Sequence, residues 1–167
     1  MADLTEVKKL IREIVGANPN LPIPATVLSV DGQRCKVELK SGLKLTDVKL
    51  KATINNSANY ILVTPKVGSK VQIMSLSGNL DNMTVIKVDE VEKIEIIQGD
   101  LEVVIDSTDN KIGVKNSVCS LKELLQELAD ILKQLKVYTP AGPSGTPLPD
   151  SILAIEAFEL KFDQLLK

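Results

Sequence analysis

A chain of 167 residues allows one domain or two small ones, and a net charge of −2 with only two arginines leaves no basic stripe for a phosphate backbone. Histidine is absent, which removes the commonest general base, the commonest zinc ligand and every histidine-based triad. Only Tyr60, Tyr138, Phe158 and Phe162 are aromatic, so the core must be aliphatic, a single copy is short of stabilising area, and an oligomer is expected.

The first element is an N-terminal amphipathic helix within residues 1–18. Asp3 and Glu6 form a capping-box pattern, Leu4, Val7, Leu10, Ile11, Ile14 and Val15 share one face, and Gly16 supplies a stop. The start, MADLTEVKK, lacks the apolar region of a signal peptide, and no run approaches the roughly 18 apolar residues of a membrane span. Synthesis in the cytoplasm without stable membrane insertion is the expectation. Asn18 to Pro24 holds three prolines and reads as a stiff connector.

Residues 19–92 carry a β pattern throughout. Ala25–Val30 is a strand turned by Asp31-Gly32, a strong hairpin signal, and Cys35–Leu39 pairs back. Leu43, Leu45, Val48 and Leu50 lead toward Ile54 and a polar Asn55-Asn56-Ser57 loop. Tyr60–Val63 and Lys70–Met74 flank Pro65–Ser69, and Met83–Val88 ends the set. Five or six short strands with glycine turns suit a small closed barrel, in which no edge is left unpaired.

Residues 93–118 hold three short apolar runs at eight- to ten-residue spacing, separated by Gln98-Gly99-Asp100 and Ser107-Thr108-Asp109-Asn110. Their alternation predicts half-buried strands with Ile94, Ile96, Val103, Ile105, Ile112 and Val114 on one side. So short a strip cannot close a core, so it must lay its apolar side on something else. The expected partner is two further copies of itself, with these six residues at a three-fold axis.

Residues 119–167 read as a helical hairpin. Ser120 and Glu123 make a capping box that opens a helix running to about Val137. Leu121, Leu124, Leu128, Ile131 and Leu135 follow the three-four spacing of a heptad seam, with Leu125 and Leu132 widening it. A proline- and glycine-rich loop, Thr139–Pro149, precedes a last helix capped by Asp150 or Ser151, with Ile155, Phe158 and Phe162 on its apolar face. Three such hairpins around an axis would form a six-helix bundle.

Little here points to catalysis, and no cofactor or metal is expected. No activated nucleophile with a base in reach is visible. Asp106, Thr108 and Asn110 have the first spacings of a calcium loop, but Lys111 stands where an EF-hand needs glycine, so solvated turn residues are the simpler reading. Cys35 and Cys119 read as free thiols. Single-strand binders stack bases on aromatics in a basic groove; the expected barrel offers Tyr60 alone, and its lysines are scattered.

The order strand, Asp31-Gly32 turn, strand, then Pro65-Lys66-Val67-Gly68-Ser69-Lys70-Val71 before another strand resembles the central spike proteins of phage baseplates, the baseplate assembly protein V family. That resemblance implies an oligonucleotide/oligosaccharide-binding (OB) type barrel followed by β repeats that three chains wind into a triangular prism or β-helix, beginning here near Lys93. It implies a virion location in the tail and partners among other tail, baseplate or tube-hub proteins. Many such spikes end in a His-x-His metal tip; this chain has no histidine and continues into helices. A blunt structural hub therefore fits better than a piercing needle.

The expected protein is mainly β with terminal helices: N-terminal helix, OB-like barrel, short trimeric prism and C-terminal helical hairpin. Its expected role is a non-enzymatic homotrimeric tail component. A monomeric OB-type module for single-stranded nucleic acid and a tail assembly chaperone gripping through the helical hairpin are the alternatives.

Overall fold

The computed structural model describes residues 4–15, 21–52, 59–75 and 80–167. The expected cap Asp3, the stop Gly16, residues 18–20 of the connector and the Asn55–Ser57 loop lie outside them, as do the side chains of Leu4, Ile11, Ile14 and Val15. Helix α1 spans Leu4–Val15, and Val7 and Leu10 on its stripe are exposed. The protein is mainly β and divides into two compact units, Met1–Ile54 with Pro65–Glu90 and Asn55–Thr64 with Val91–Lys167.

Six strands follow α1: β1 (Ile23–Asp31), β2 (Arg34–Leu39), β3 (Lys44–Lys49), β4 (Asn59–Pro65), β5 (Lys70–Ser75) and β6 (Met83–Val88). All but β4 close into a barrel in the order β1-β2-β3-β6-β5. Neighbours are antiparallel except β3 and β6, which run parallel through Lys49 and Thr84. Ala25, Val27, Cys35, Val37, Val48, Val71, Ile73 and Met83 fill the interior. Burial pushes the Cys35 thiol up to about 11, so it stays protonated and unreactive at neutral pH.

The inward residues do not alternate strictly. Spacings of three occur from Val27 to Val30, Leu45 to Val48 and Val85 to Val88. Each coincides with a register shift: between Val27 and Ser29 in β1, between Cys35 and Val37 opposite β3, and between Gln72 and Ile73 opposite β6. One extra residue resets which face points inward and adds the local bend a small barrel needs. At the first shift the backbone groups of Val27 are satisfied from outside the ladder. Val27 N donates to Ser69 O (3.0 Å) and Gly68 N donates to Val27 O (2.9 Å). Ser69 N also donates to Lys66 O, closing a turn in which Gly68 has φ of 86°, a conformation glycine adopts without strain. The Pro-Lys-Val-Gly stretch is thus a plug for the β1 bulge.

Two expectations about this region are corrected. Ile23 and Pro24 belong to β1 and not to the connector. Proline is tolerated because Pro24 pairs only with Gln72 of β5; pairing with β2 begins one residue later, at Ala25. The second concerns β4, expected among the barrel strands of residues 19–92. The ring closes without it, so no edge remains to receive it, and it joins the second unit. Tyr60 goes with it, and the five barrel strands carry no aromatic residue.

In the second unit β4 pairs with β7 (Val91–Gln98), followed by β8 (Leu101–Asp106) and β9 (Lys111–Lys115), in the order β4-β7-β8-β9. Asn59 Oδ1 accepts from Gly99 N in the β7–β8 turn (2.7 Å), which fastens the start of β4 to the meander. Helix α2 spans Leu121–Lys133, a two-stranded ribbon of β10 (Tyr138–Thr139) and β11 (Gly142–Pro143) crosses the loop, and α3 spans Pro149–Leu165.

The capping box at Ser120 is present: its hydroxyl accepts from Glu123 N (3.1 Å), and Glu123 accepts from Ser120 N (2.7 Å), which holds the Glu123 carboxyl below the usual range. Substituting Ser120→Ala is expected to cost about 1 kcal/mol, read as a lowered urea midpoint of the helical signal; an unchanged midpoint would show the cap to be idle. Helix α2 ends at Lys133, short of Val137, with Gln134 as its C-cap. At α3, Leu148 is the N-cap without a side-chain bond and Pro149 takes the first turn, replacing the expected caps Asp150 and Ser151. Proline is preorganised there and lacks the N–H that a cap would satisfy.

Candidate assembly surface

Cross-strand register decides which side chains share a face of the β7–β9 meander. Ile94 lies opposite Ile105, which lies opposite Ile112; Ile96 lies opposite Val103, which lies opposite Val114. Directly opposed residues point the same way, so these six form two adjoining aliphatic rows on one face. Leu101, opposite Gln98, extends the patch. Ile96, Leu101 and Ile105 are exposed, and Ile94, Val103, Ile112 and Val114 are only half-buried.

The reverse face has opposite chemistry. Its rows are Lys93–Asp106–Lys111, Glu95–Val104–Gly113 and Ile97–Glu102–Lys115. Val104 is buried there, and the Lys167 side chain lies 3.5 Å from where a Cβ on Gly113 would stand. Lys167 Nζ sits between two carboxylates, 2.7 Å from Asp106 and 3.1 Å from Asp109. Its backbone N donates to Ile112 O (3.1 Å), and Leu166 bridges to Ile112. Lys111 Nζ donates to Asp163 O (2.6 Å). The charged face is therefore the one the C-terminal segment covers, and the aliphatic face stays open.

Asp106 and Asp109, expected as solvated turn residues, accept from the turn backbone at Thr108 and Lys111, and both also pair with Lys167. The Lys167 contact and then the Thr108 hydroxyl and amide hold the Asp106 carboxyl well below the usual carboxylate range. Hydrogen bonds to Asp106 and then to Asp109 raise the Lys167 ammonium. A carboxyl whose folded pKa is lowered contributes stability above its unfolded value, near pH 4, and loses it as the pH falls toward the folded value. Asp106→Asn is therefore expected to lower the melting temperature at pH 6 and to flatten its decline toward pH 2, followed by circular dichroism. Parallel declines in both proteins would remove the contact from the acid response. A residual slope remains in the variant, because Glu123 and Glu159 are also lowered.

The two helices meet through polar and small residues. Lys122 pairs with Asp163 (3.0 Å), Gln126 Nε2 donates to Glu159 (2.7 Å), and Lys133 pairs with Glu159 (2.6 Å). The Lys133 contact lowers the Glu159 carboxyl and raises the lysine. Ala129 and Phe162 are buried, and the Phe158 and Phe162 rings meet edge to face at 5.4 Å. Of the residues expected in a helical bundle, Phe162 is enclosed within the chain, Ile155 is half-buried and Phe158 is exposed. Leu121, Leu124, Leu128, Ile131 and Leu135 all lie exposed. The α2 side that meets α3 (Lys122, Gln126, Ala129, Lys133) was not legible as an interface, because its polar residues resemble an ordinary solvated face.

No family model and no curated protein matches this chain. Among the described residues no group of three or more His, Cys, Asp or Glu could hold a metal ion, and no helix is long and apolar enough to cross a membrane. A cleft of about 450 Å³ lies between the reverse face and the 116–123 segment, lined by Glu102, Val104, Lys115, Cys119 and Glu123 among others. Cys119 is a half-buried free thiol with no histidine anywhere in the chain to activate it. What the second unit offers is surface: an aliphatic sheet face and a leucine line, both uncovered in one copy.

Proposed function

We propose that this protein is a non-enzymatic, homotrimeric structural component of a phage tail or contractile-injection baseplate, of the central spike or hub type. The observation that carries the reading is the pair of aliphatic rows, Ile94–Ile105–Ile112 and Ile96–Val103–Val114, open on one face of a sheet whose other face is charged and covered. Three copies of a flat aliphatic sheet face close on each other as a triangular prism, and completing the burial of each half-open side chain contributes about 1 kcal/mol. Six such side chains in each of three chains make assembly the source of stability for this region.

The barrel supports the same reading. Counted along the ring, its strands follow 1-2-3-5-4 with the third and fifth parallel, the arrangement of an OB-type barrel. Its last strand, β6, precedes β7–β9 in the chain, the order that the resemblance to baseplate spikes implies, and β4 alone reaches the sheet from between two barrel strands. The chain's mechanical role would be to hold a three-fold axis while other tail or tube-hub proteins dock on it.

The rival reading, a monomeric module for single-stranded nucleic acid, is weakened further by the placement of Tyr60 outside the barrel. A barrel whose strands lack aromatic residues has no platform on which bases could stack. Light scattering coupled to size exclusion separates the two. A mass of about 54 kDa, three times the 18.1 kDa chain, is expected, with no retention of single-stranded DNA at physiological salt. A stable monomer of 18.1 kDa would end the trimer reading. Antibody against the chain should label the baseplate end of tails in electron micrographs; labelling along the whole tube would remove the hub placement.

A further inference from the structure

We infer that α2 is the inner helix of a parallel three-stranded coil formed with two other copies of this chain, and that α3 packs outside it. This rests on the trimer reading above and adds which helix faces the axis, through which residues, and in what register.

Within α2 the seam runs Leu121, Leu124, Leu128, Ile131, so the first step of three fixes Leu121 and Leu128 as heptad a positions and Leu124 and Ile131 as d, while Leu135 lies past the helix end at Lys133. Each is 40–62% exposed in the single chain. Leu132, at an e position, is exposed too, so the exposed side chains form one apolar stripe along α2. The opposite side of α2 is already taken. Lys122 and Ala129 at b, with Gln126 and Lys133 at f, meet α3 through Asp163 and Glu159. Those two sides leave one place for α3 and another for something apolar.

The composition of the seam names the occupant. Two-stranded parallel coils favour β-branched residues at a with leucine at d; here every a position is leucine and one d position is isoleucine, which favours three or four strands. Apolar e residues, Leu125 and Leu132, widen the seam beyond what two helices cover. No asparagine or lysine interrupts it to limit the number of strands. A three-fold axis makes equivalent helices parallel, and the helix begins where Ser120 bridges to Lys115 at the end of β9, so it continues directly from the sheet proposed to assemble. Within α2 the seam, from Leu121 to Ile131, spans about 15 Å at 1.5 Å per residue. Two heptads are too short to hold a coil unaided, so the coil forms only when the sheet faces assemble.

Cysteine cross-linking of the full-length protein tests this. In a Cys119→Ser background Cys35 can stay, being buried and protonated. Leu128→Cys places a thiol at the inner seam and Gln126→Cys one on the α3 side. Under mild oxidation at low protein concentration, Leu128→Cys is expected to give at least about tenfold more covalent dimer than Gln126→Cys, because a disulfide needs Cβ atoms within about 4.5 Å. Ile131→Cys should behave as Leu128→Cys does. A protein that is trimeric by light scattering but cross-links no better at 128 and 131 than at 126 overturns the inner placement of α2 and leaves the trimer standing. A monomeric protein overturns both.

Discussion

Val103→Asp is expected to abolish assembly, taking the mass from about 54 kDa to that of one chain. Val103 stands mid-strand on the aliphatic face, between Ile96 and Val114. In one copy its side chain is only half-buried, so an aspartate there can remain hydrated and the chain keeps its fold. Around a three-fold axis the substitution brings three carboxylates together in an apolar interior. Each unpaired ion costs several kcal/mol even after relaxation, and a deficit of about 4 kcal/mol already weakens association about a thousandfold. The matched control is Lys115→Asp on the reverse face, where the exposed lysine pairs with Glu102 at 3.2 Å. That variant should keep the parent mass. Lys111 would be a poor control despite lying on the same face of β9, because its ammonium caps the Asp163 carbonyl of α3. A Val103→Asp protein that still runs as a trimer would show that the aliphatic rows are not the axis.

The other large effect is expected in the barrel. Ile73 is fully enclosed, with Val27, Val37 and Val71 in the same core. Cutting it to alanine leaves a void in a ring of five hydrogen-bonded strands that cannot collapse inward without breaking register, so Ile73→Ala should cost about 2–5 kcal/mol. For a unit whose whole stability is of order 5–15 kcal/mol, that is a large fraction, readable as a fall in the urea midpoint by circular dichroism. Ile86→Ala on β6, where the side chain is exposed, should change stability by less than about 1 kcal/mol. If both substitutions cost the same, Ile73 is not part of a close-packed core.

Periodicity was legible wherever it was local. The three runs from Lys93 to Val118 are strands because isoleucine and valine alternate between turns, and antiparallel pairing then sends alternate residues to a common face. The capping box at Ser120 and the heptad spacing of α2 were equally plain, since each depends on residues three or four apart. The β-bulges were not. Steps of three from Val27 to Val30, Leu45 to Val48 and Val85 to Val88 break the alternation, and only the barrel's curvature shows why. Tyr60 looked like a barrel aromatic because its strand lies between two barrel strands in the chain; closure of the ring sent it elsewhere. The Asp106–Lys167 pair spans 61 positions, and nothing local to either residue announces it.

By itself, then, the amino-acid sequence determined the types of the main elements, though not the β10–β11 ribbon, together with the aliphatic character of the core, the absence of histidine chemistry and the set of residues sharing the apolar face of β7–β9. These follow from residue type and short spacing, which backbone geometry converts directly into faces and caps. Tertiary structure alone decided which strands close the barrel, where β4 belongs and which side of the sheet the C-terminal segment covers. It also settled that α2 meets α3 through lysine, glutamine and alanine while Leu121, Leu124, Leu128 and Leu132 lie exposed. Those outcomes depend on loop closure and on pairing between distant positions, where several arrangements satisfy the same local pattern and only the packing of the whole unit selects one.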